Sequence, residues 1–245
     1  MQPKNWITFF LMSALLTTSA LLTSCERDAD TPDEVITNDE AAELIEGALQ
    51  ADSEGLAEEM LLATELAESA VNKNLTTLAC NETRDSSFTR TLNESYLTAS
   101  YSSTFSWTLL CNSQDLPTAI EVARQTTGNY ESQRWISDDE ASGSWTVSQL
   151  LFGSSYIING EYARTGYQES KVREMRTFDS TISFTIEDLY VDKGTQRISS
   201  GTGTFTMAGE GSDGNSFDLS GTIVFHGGGS ATVIINGQQY TIDLY

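Results

Sequence analysis

Hydrophobic residues from about Ser87 to the C-terminus recur with a period of two, and this alternation restricts the fold more than any other feature of the chain. Asn236-Gly237 is a hairpin signal that sets Ile235 opposite Gln238, Val233 opposite Tyr240 and Ala231 opposite Ile242. Gly227-Gly228-Gly229, taken as a three-residue loop, sets Phe225 opposite Ala231 and Ile223 opposite Val233, so the same apolar side is kept. Phe217 and Leu219 continue that side, and a loop of odd length at Asp213-Gly214-Asn215 brings Phe205 and Met207 onto it. Three consecutive hairpins thus agree on one buried face, and a one-residue slip in any of them would break the agreement.

Upstream, Ile182, Phe184 and Ile186 alternate until Glu187-Asp188, where Leu189 and Val191 take over the apolar register; a bulge there reconciles the two. Tyr156, Ile158 and Tyr162 mark another strand, the stretch from Trp145 to Phe152 one more, and Tyr101, Phe105, Trp107, Leu109 and Cys111 share one face of a long strand. The reading is mainly β: a curved antiparallel meander sheet or partly closed barrel of about eight to ten strands, with a β-sandwich as the alternative.

The segment before these strands differs. Residues 26–72 carry 15 acidic side chains and one basic, Arg27. Thr37-Asn38-Asp39-Glu40 reads as a capping box, followed by helix formers as far as Val71. Ile45, Leu49, Leu56, Met60, Ala63, Ala67 and Ala70 fall on one helical face, with Leu66 and Val71 at its edges and the glutamates mostly opposite. Asp52-Ser53 and Gly55 divide the stretch into two helices, Ser53 being placed to cap the second. An amphipathic cover for the sheet is expected, forming one domain with it.

Composition excludes several functions. With 35 acidic and 13 basic residues the formal charge is −22, which lacks the basic footprint of nucleic-acid binding. His226 is the only histidine, so multi-histidine metal sites are ruled out, and no serine lies in a nucleophile elbow. Gly209–Gly214 matches a dinucleotide fingerprint by letter, but a strand follows where a helix is required; a hairpin turn is expected, the alternative being a calcium ion held by Glu210, Asp213 and turn carbonyls with Asn215. Asp138-Asp139-Glu140 reads as a solvated turn rather than acid/base machinery, and His226 as an exposed side chain. We expect no enzyme, no cofactor and no resident metal.

The N-terminus supplies an address. Trp6–Leu22 is a 17-residue run without charge, short for a membrane span, and it closes on Leu22-Thr23-Ser24-Cys25. This segment resembles the signal peptide and lipobox of bacterial lipoproteins, and the β-rich remainder resembles secreted lipoproteins of Gram-negative bacteria. The resemblance implies cleavage before Cys25 and acylation of that residue with palmitate-type chains, each buried methylene adding about 0.8 kcal/mol of membrane affinity. The organisation expected is a signal peptide over 1–24, an acidic tether over 25–36, a helical segment over 37–72 and β structure over 73–245. Cys80 and Cys111 form an even pair in an exported chain and are expected to be bridged.

The function expected is that of a non-catalytic lipoprotein of the bacterial outer membrane, a binding or structural module. Its partners are the bilayer and a glycan or envelope protein. Trp135, Trp145 and Tyr130 are candidate aromatic platforms for a sugar. Tyr96, Tyr167 and Tyr190 are further aromatics outside the inferred core face. A carrier that keeps an apolar cavity on its concave side is the other alternative; it requires that Leu56, Met60 and Leu66 leave that side open.

Overall fold

The computed structural model describes residues 35–71 and 79–245. Cys25, the signal peptide, nearly all of the tether, and the expected boundary between helical and β segments at 72/73 lie outside the described residues. Two helices, α1 (Asn38–Leu49) and α2 (Leu56–Val71), precede ten strands. These are β1 (Thr83–Asn93), β2 (Leu97–Cys111), β3 (Pro117–Ser132), β4 (Trp135–Ser148), β5 (Ser155–Ser170), β6 (Thr177–Asp192), β7 (Ile198–Gly211), β8 (Ser216–His226), β9 (Ser230–Ile235) and β10 (Gln238–Asp243).

All ten form one antiparallel sheet in sequence order. It is open, because β1 and β10 do not pair with each other. A single sheet of this kind disposes of the sandwich alternative. The C-terminal registers are those the turn chemistry dictates: Ile235 faces Gln238, Phe225 faces Ala231 and Met207 faces Leu219. The bulge at Glu187-Asp188 is present, with Asp188 at φ +52°. In one respect the pattern misleads: β4 stops at Ser148, and Leu150–Phe152 belong to the following turn. Gln149 takes φ +61° there, and the Lys193 ammonium donates to the carbonyls of Gln149, Leu150 and Phe152 at 2.6, 3.2 and 2.8 Å, which bends the chain away from the ladder.

The capping box starts α1, Thr37 Oγ1 accepting from Glu40 N while the Glu40 carboxylate accepts from Thr37 N. Ser53 acts differently from expectation. Instead of capping α2 it donates to Gly47 O and Gln50 O, closing the end of α1. Between the helices Glu54 sits at φ +57°. The apolar stripe is buried from Ile45 through Ala67, and it rests on the inner face of the sheet, α1 against β9 and β10 and α2 against β3 and β4.

Contacts with strands so far apart in the sheet require it to curl around the helices. The α1–α2 junction is where its two margins come nearest in bonding. Ala51 N donates to Leu244 O just past β10 (2.9 Å), while Arg90 of β1 reaches Glu54 on the same junction (2.8 Å). Helix junction, rather than strand pairing, bridges the opening. The inner face beneath it is continuous, from Tyr101 and Leu109 through Trp145, Tyr162, Phe184 and Phe205 to Val233 and Ile242.

Cys80 and Cys111 are joined by a disulfide, with Cα atoms 5.6 Å apart and a sequence separation of 31. It binds the approach to β1 onto the end of β2. Replacing both cysteines by serine should lower the unfolding free energy by roughly 3 to 4 kcal/mol through the released loop entropy, read as a lower urea midpoint with the spectroscopic signature of the folded sheet retained.

Candidate functional site

Charged side chains lie between the helices and the sheet. Arg124 on β3 and Arg164 on β5 occupy inward positions of their strands, where Val122 and Tyr162 establish the apolar parity. A guanidinium forced inward by its register must find carboxylates, and the helical segment supplies them. Arg124 Nη2 donates to Glu54 Oε2 at 2.5 Å and Ser103 Oγ at 2.7 Å, and Nη1 to Glu59 Oε1 at 3.3 Å. Trp145 Nε1 donates to the other Glu59 oxygen at 3.1 Å. Gly143 leaves room for this pair, since a Cβ there would come within 2.6 Å of Glu59 and 2.7 Å of the indole nitrogen. Arg90 adds bonds to Glu54 and Glu58 at 2.8 and 3.0 Å. Burial pushes the Glu59 carboxyl above the ordinary range, opposed by Arg124 and the indole N–H and reinforced by Glu54 and Glu58.

A second knot surrounds Arg164. Its Nη2 donates to Asp139 Oδ2 (2.7 Å) and Tyr101 Oη (2.6 Å), and Nη1 to Gly47 O (2.8 Å) at the C-terminal end of α1, where a cation meets the unsatisfied carbonyls of the helix. Ser137 Oγ donates to the same Asp139 oxygen at 2.6 Å. Arg124 and Arg164, with Glu54, Glu59 and Asp139, are closed to solvent, while Arg90 and Glu58 at the edge of the first knot are partly exposed.

The predicted aromatic platform is therefore corrected. Trp135, Trp145 and Tyr130 are 4, 2 and 6% exposed. They point inward with the rest of the apolar parity, and the two indole N–H groups are spent on Glu43 and Glu59. No ring face of the three is offered to a sugar on the outer sheet surface. Asp138-Asp139-Glu140 is not a turn but the middle of β4, with Asp139 inside and its two neighbours outside. Exposed aromatics are instead Tyr96, Phe152, Tyr167, Tyr190 and Tyr245, scattered over turns, two strands and the C-terminus. Asp213 spends its carboxylate on Asn215 within the β7–β8 turn, and among the described residues no group of three or more His, Cys, Asp or Glu is arranged to hold a metal. His226 is exposed and bonds Thr232 Oγ1.

Near the β3–β4 turn the helix–sheet interface opens. Glu43 on α1 takes bonds from Arg134, Arg173 and Trp135 Nε1. Beside it, Glu46, Gln50, Tyr96, Tyr130, Arg134 and Trp135 are among the residues that line a recess of about 260 Å³. Two residues of the predicted platform, Tyr130 and Trp135, thus border a recess rather than a flat surface. The third, Trp145, does not. Against known proteins, the chain matches no family model, no curated protein and no solved structure.

Removing Arg124 leaves buried Glu59 without a cation and Glu54 with Arg90 alone. Arg124→Met should cost about 3 to 5 kcal/mol in urea unfolding, and adding Glu59→Gln should recover part of it. Glu40 yields a pH prediction: burial, its largest influence, opposes ionisation, but bonds from the Thr37 backbone and hydroxyl together with Arg176 outweigh it and lower its pKa. Its contribution is then full above the ordinary glutamate value of about 4.3 and lost as pH falls through the lowered one. The melting-temperature gap between wild type and Glu40→Gln should narrow on acidification over that window.

Proposed function

We propose that this chain is a non-catalytic lipoprotein of the bacterial outer membrane, moored through acyl chains on Cys25 and displaying its β domain as a binding or structural module. The observation that carries the reading is the uncharged run Trp6–Leu22 closing on Leu22-Thr23-Ser24-Cys25. A sulfur with two or more chains holds a domain at a bilayer without a spanning helix. The ten residues from Cys25 to Glu34 reach at most about 35 Å when extended, so the domain would stay close to the surface that anchors it.

The interior supports a module that acts through its exterior. Leu56 and Met60 are fully buried on the concave side, Leu66 packs at its margin, and the enclosed space beside Leu44, Gly47 and Ile182 amounts to about 10 Å³. An acyl chain has no room there, so the carrier alternative gains no support. Outward strand positions are largely serine and threonine, for example Thr202, Thr204 and Thr206 on β7 beside Ser220 and Thr222 on β8.

Intact-mass measurement of protein extracted from membranes tests the reading. The expected result is a chain beginning at Cys25 and heavier by its acyl groups, with Cys25→Ser moving the protein to the soluble fraction. A free thiol at Cys25 in freely soluble material would overturn it.

A further inference from the structure

Exposed apolar side chains mark both ends of the strands. At one end the β4–β5 turn presents Leu151 and Phe152, the latter 75% exposed, beside Leu116 on the β2–β3 turn. At the other the β5–β6 turn presents Met175, 64% exposed, and the β1–β2 turn presents Tyr96. Apolar tips of this kind suit a bilayer or a protein, so exposure alone does not choose between the ends.

The place where the tether joins the domain does choose. The carbonyl of Val35 accepts from Arg176 Nη1 at 3.1 Å, and a Cβ on Gly211, at the close of β7, would meet Val35 Cγ1 at 3.5 Å. Both contacts put the junction at the Met175 end. β5 has 16 residues, so roughly 50 Å of strand separates the two ends at about 3.3 Å per residue. Cys25 to Glu34 spans at most about 35 Å. With the strands along the membrane normal, a domain standing on Phe152 would hold Val35 farther from the bilayer than the tether reaches. Standing on Met175 it is within reach.

The turns at that end adjoin one another. Lys171 N donates to Arg134 O at 2.8 Å, and Tyr96, Gln133 and Lys171 line one shallow recess, which makes a single patch of the β1–β2, β3–β4 and β5–β6 turns. Lys171–Arg176 carries three cations and one acid in a chain of formal charge −22. Arg134 and Lys171 meet the carboxylates of Glu43 and Glu131, yet their side chains keep 51 and 33% of their surface in water. Basic side chains around an exposed methionine and a tyrosine ring suit the headgroup layer of an anionic bilayer.

We infer that this patch lies against the bilayer that holds Cys25, with Met175 seated among the headgroups and Lys171 and Arg134 turned to lipid phosphates. The inference rests on the acylation proposed above and adds to it the face that meets the membrane. Leu151 and Phe152 are then turned away from that surface.

The test uses the acylated full chain. Acylation occupies the sulfur of Cys25 and the disulfide occupies Cys80 and Cys111, so Met175→Cys supplies one free thiol for an environment-sensitive fluorophore, and Phe152→Cys is its counterpart at the far end. Each is placed in vesicles of phosphatidylethanolamine and phosphatidylglycerol containing a spin-labelled quencher lipid. The label at 175 should lose about half of its emission and that at 152 almost none, as expected for a side chain within the headgroup boundary. Combining Lys171→Glu and Arg134→Glu should reduce the quenching at 175 about twofold, since like charge then meets the lipid. Tyr96→Cys and Leu116→Cys repeat the comparison at exposed positions if either first variant fails to fold. Equal quenching at the two ends, or stronger quenching at 152, would overturn the inference. Flotation with the vesicles keeps the two readings apart: protein that floats while its label at 175 stays unquenched sinks this inference alone, whereas protein that does not float sinks the mooring.

Discussion

The fold depends on two guanidinium groups, of Arg124 and Arg164, held between an acidic helical segment and the sheet that curls around it. Each cation is buried, and each is tolerable only because carboxylates and carbonyls from other elements converge on it. Arg124 ties the α1–α2 junction and α2 to β2 and β3; Arg164 ties the end of α1 to β2 and β4. Hydrophobic burial of Ile45, Leu56 and Met60 is non-directional and would accept a helix pair in several rotations. The charged contacts accept one, because any other leaves a buried ion unmatched. The strongly acidic composition of residues 26–72 is in part this requirement and in part a solvated exterior, since Glu65 and Glu68 face water while Glu54 and Glu59 do not.

The same layer accounts for how a long meander remains an open sheet without an exposed apolar trough. A sheet of ten strands either closes or must protect two margins. Here the α1–α2 junction lies at the gap, bonded to Leu244 on one side and Arg90 on the other. At the β1 margin, Arg84 and Arg90 occupy inward positions, which discourages a further strand from adding there. Where this packing is least complete, beside the β3–β4 turn, the 260 Å³ recess remains.

Much of the fold is legible in the residues because period-two alternation and turn chemistry reinforce each other. Asn236-Gly237 and the glycine triplet give the last three strands in register, and Thr37 with Glu40 gives the start of α1. The end of β4 was not legible, since Leu150 and Phe152 extend the apolar pattern and only the distant Lys193 reveals why the chain turns. The interior of the site was missed for a related reason. Reading tryptophan as a platform and aspartate as a turn treats polarity as a guide to exposure, whereas strand parity is the stronger constraint. Arg124 shares parity with Ile120 and Val122, and Asp139 with Trp135 and Trp145; charges on the apolar side of their own strands were the available signal. Glu54 offered no such signal, because its inward direction follows from a left-handed backbone between two helices.

The bond from Ala51 N to Leu244 O couples the second-last residue of the chain to the junction near its beginning. Each hairpin can form as soon as its two strands exist, since every strand pairs with its sequence neighbour. The helices leave the ribosome before any of the ten strands, but their clasp to Leu244 follows the tenth. Until Leu244 has been made the acidic segment has no complete seat. Such a delay prolongs the interval in which the chain is incompletely packed, and its length is set by the sequence separation of one backbone contact.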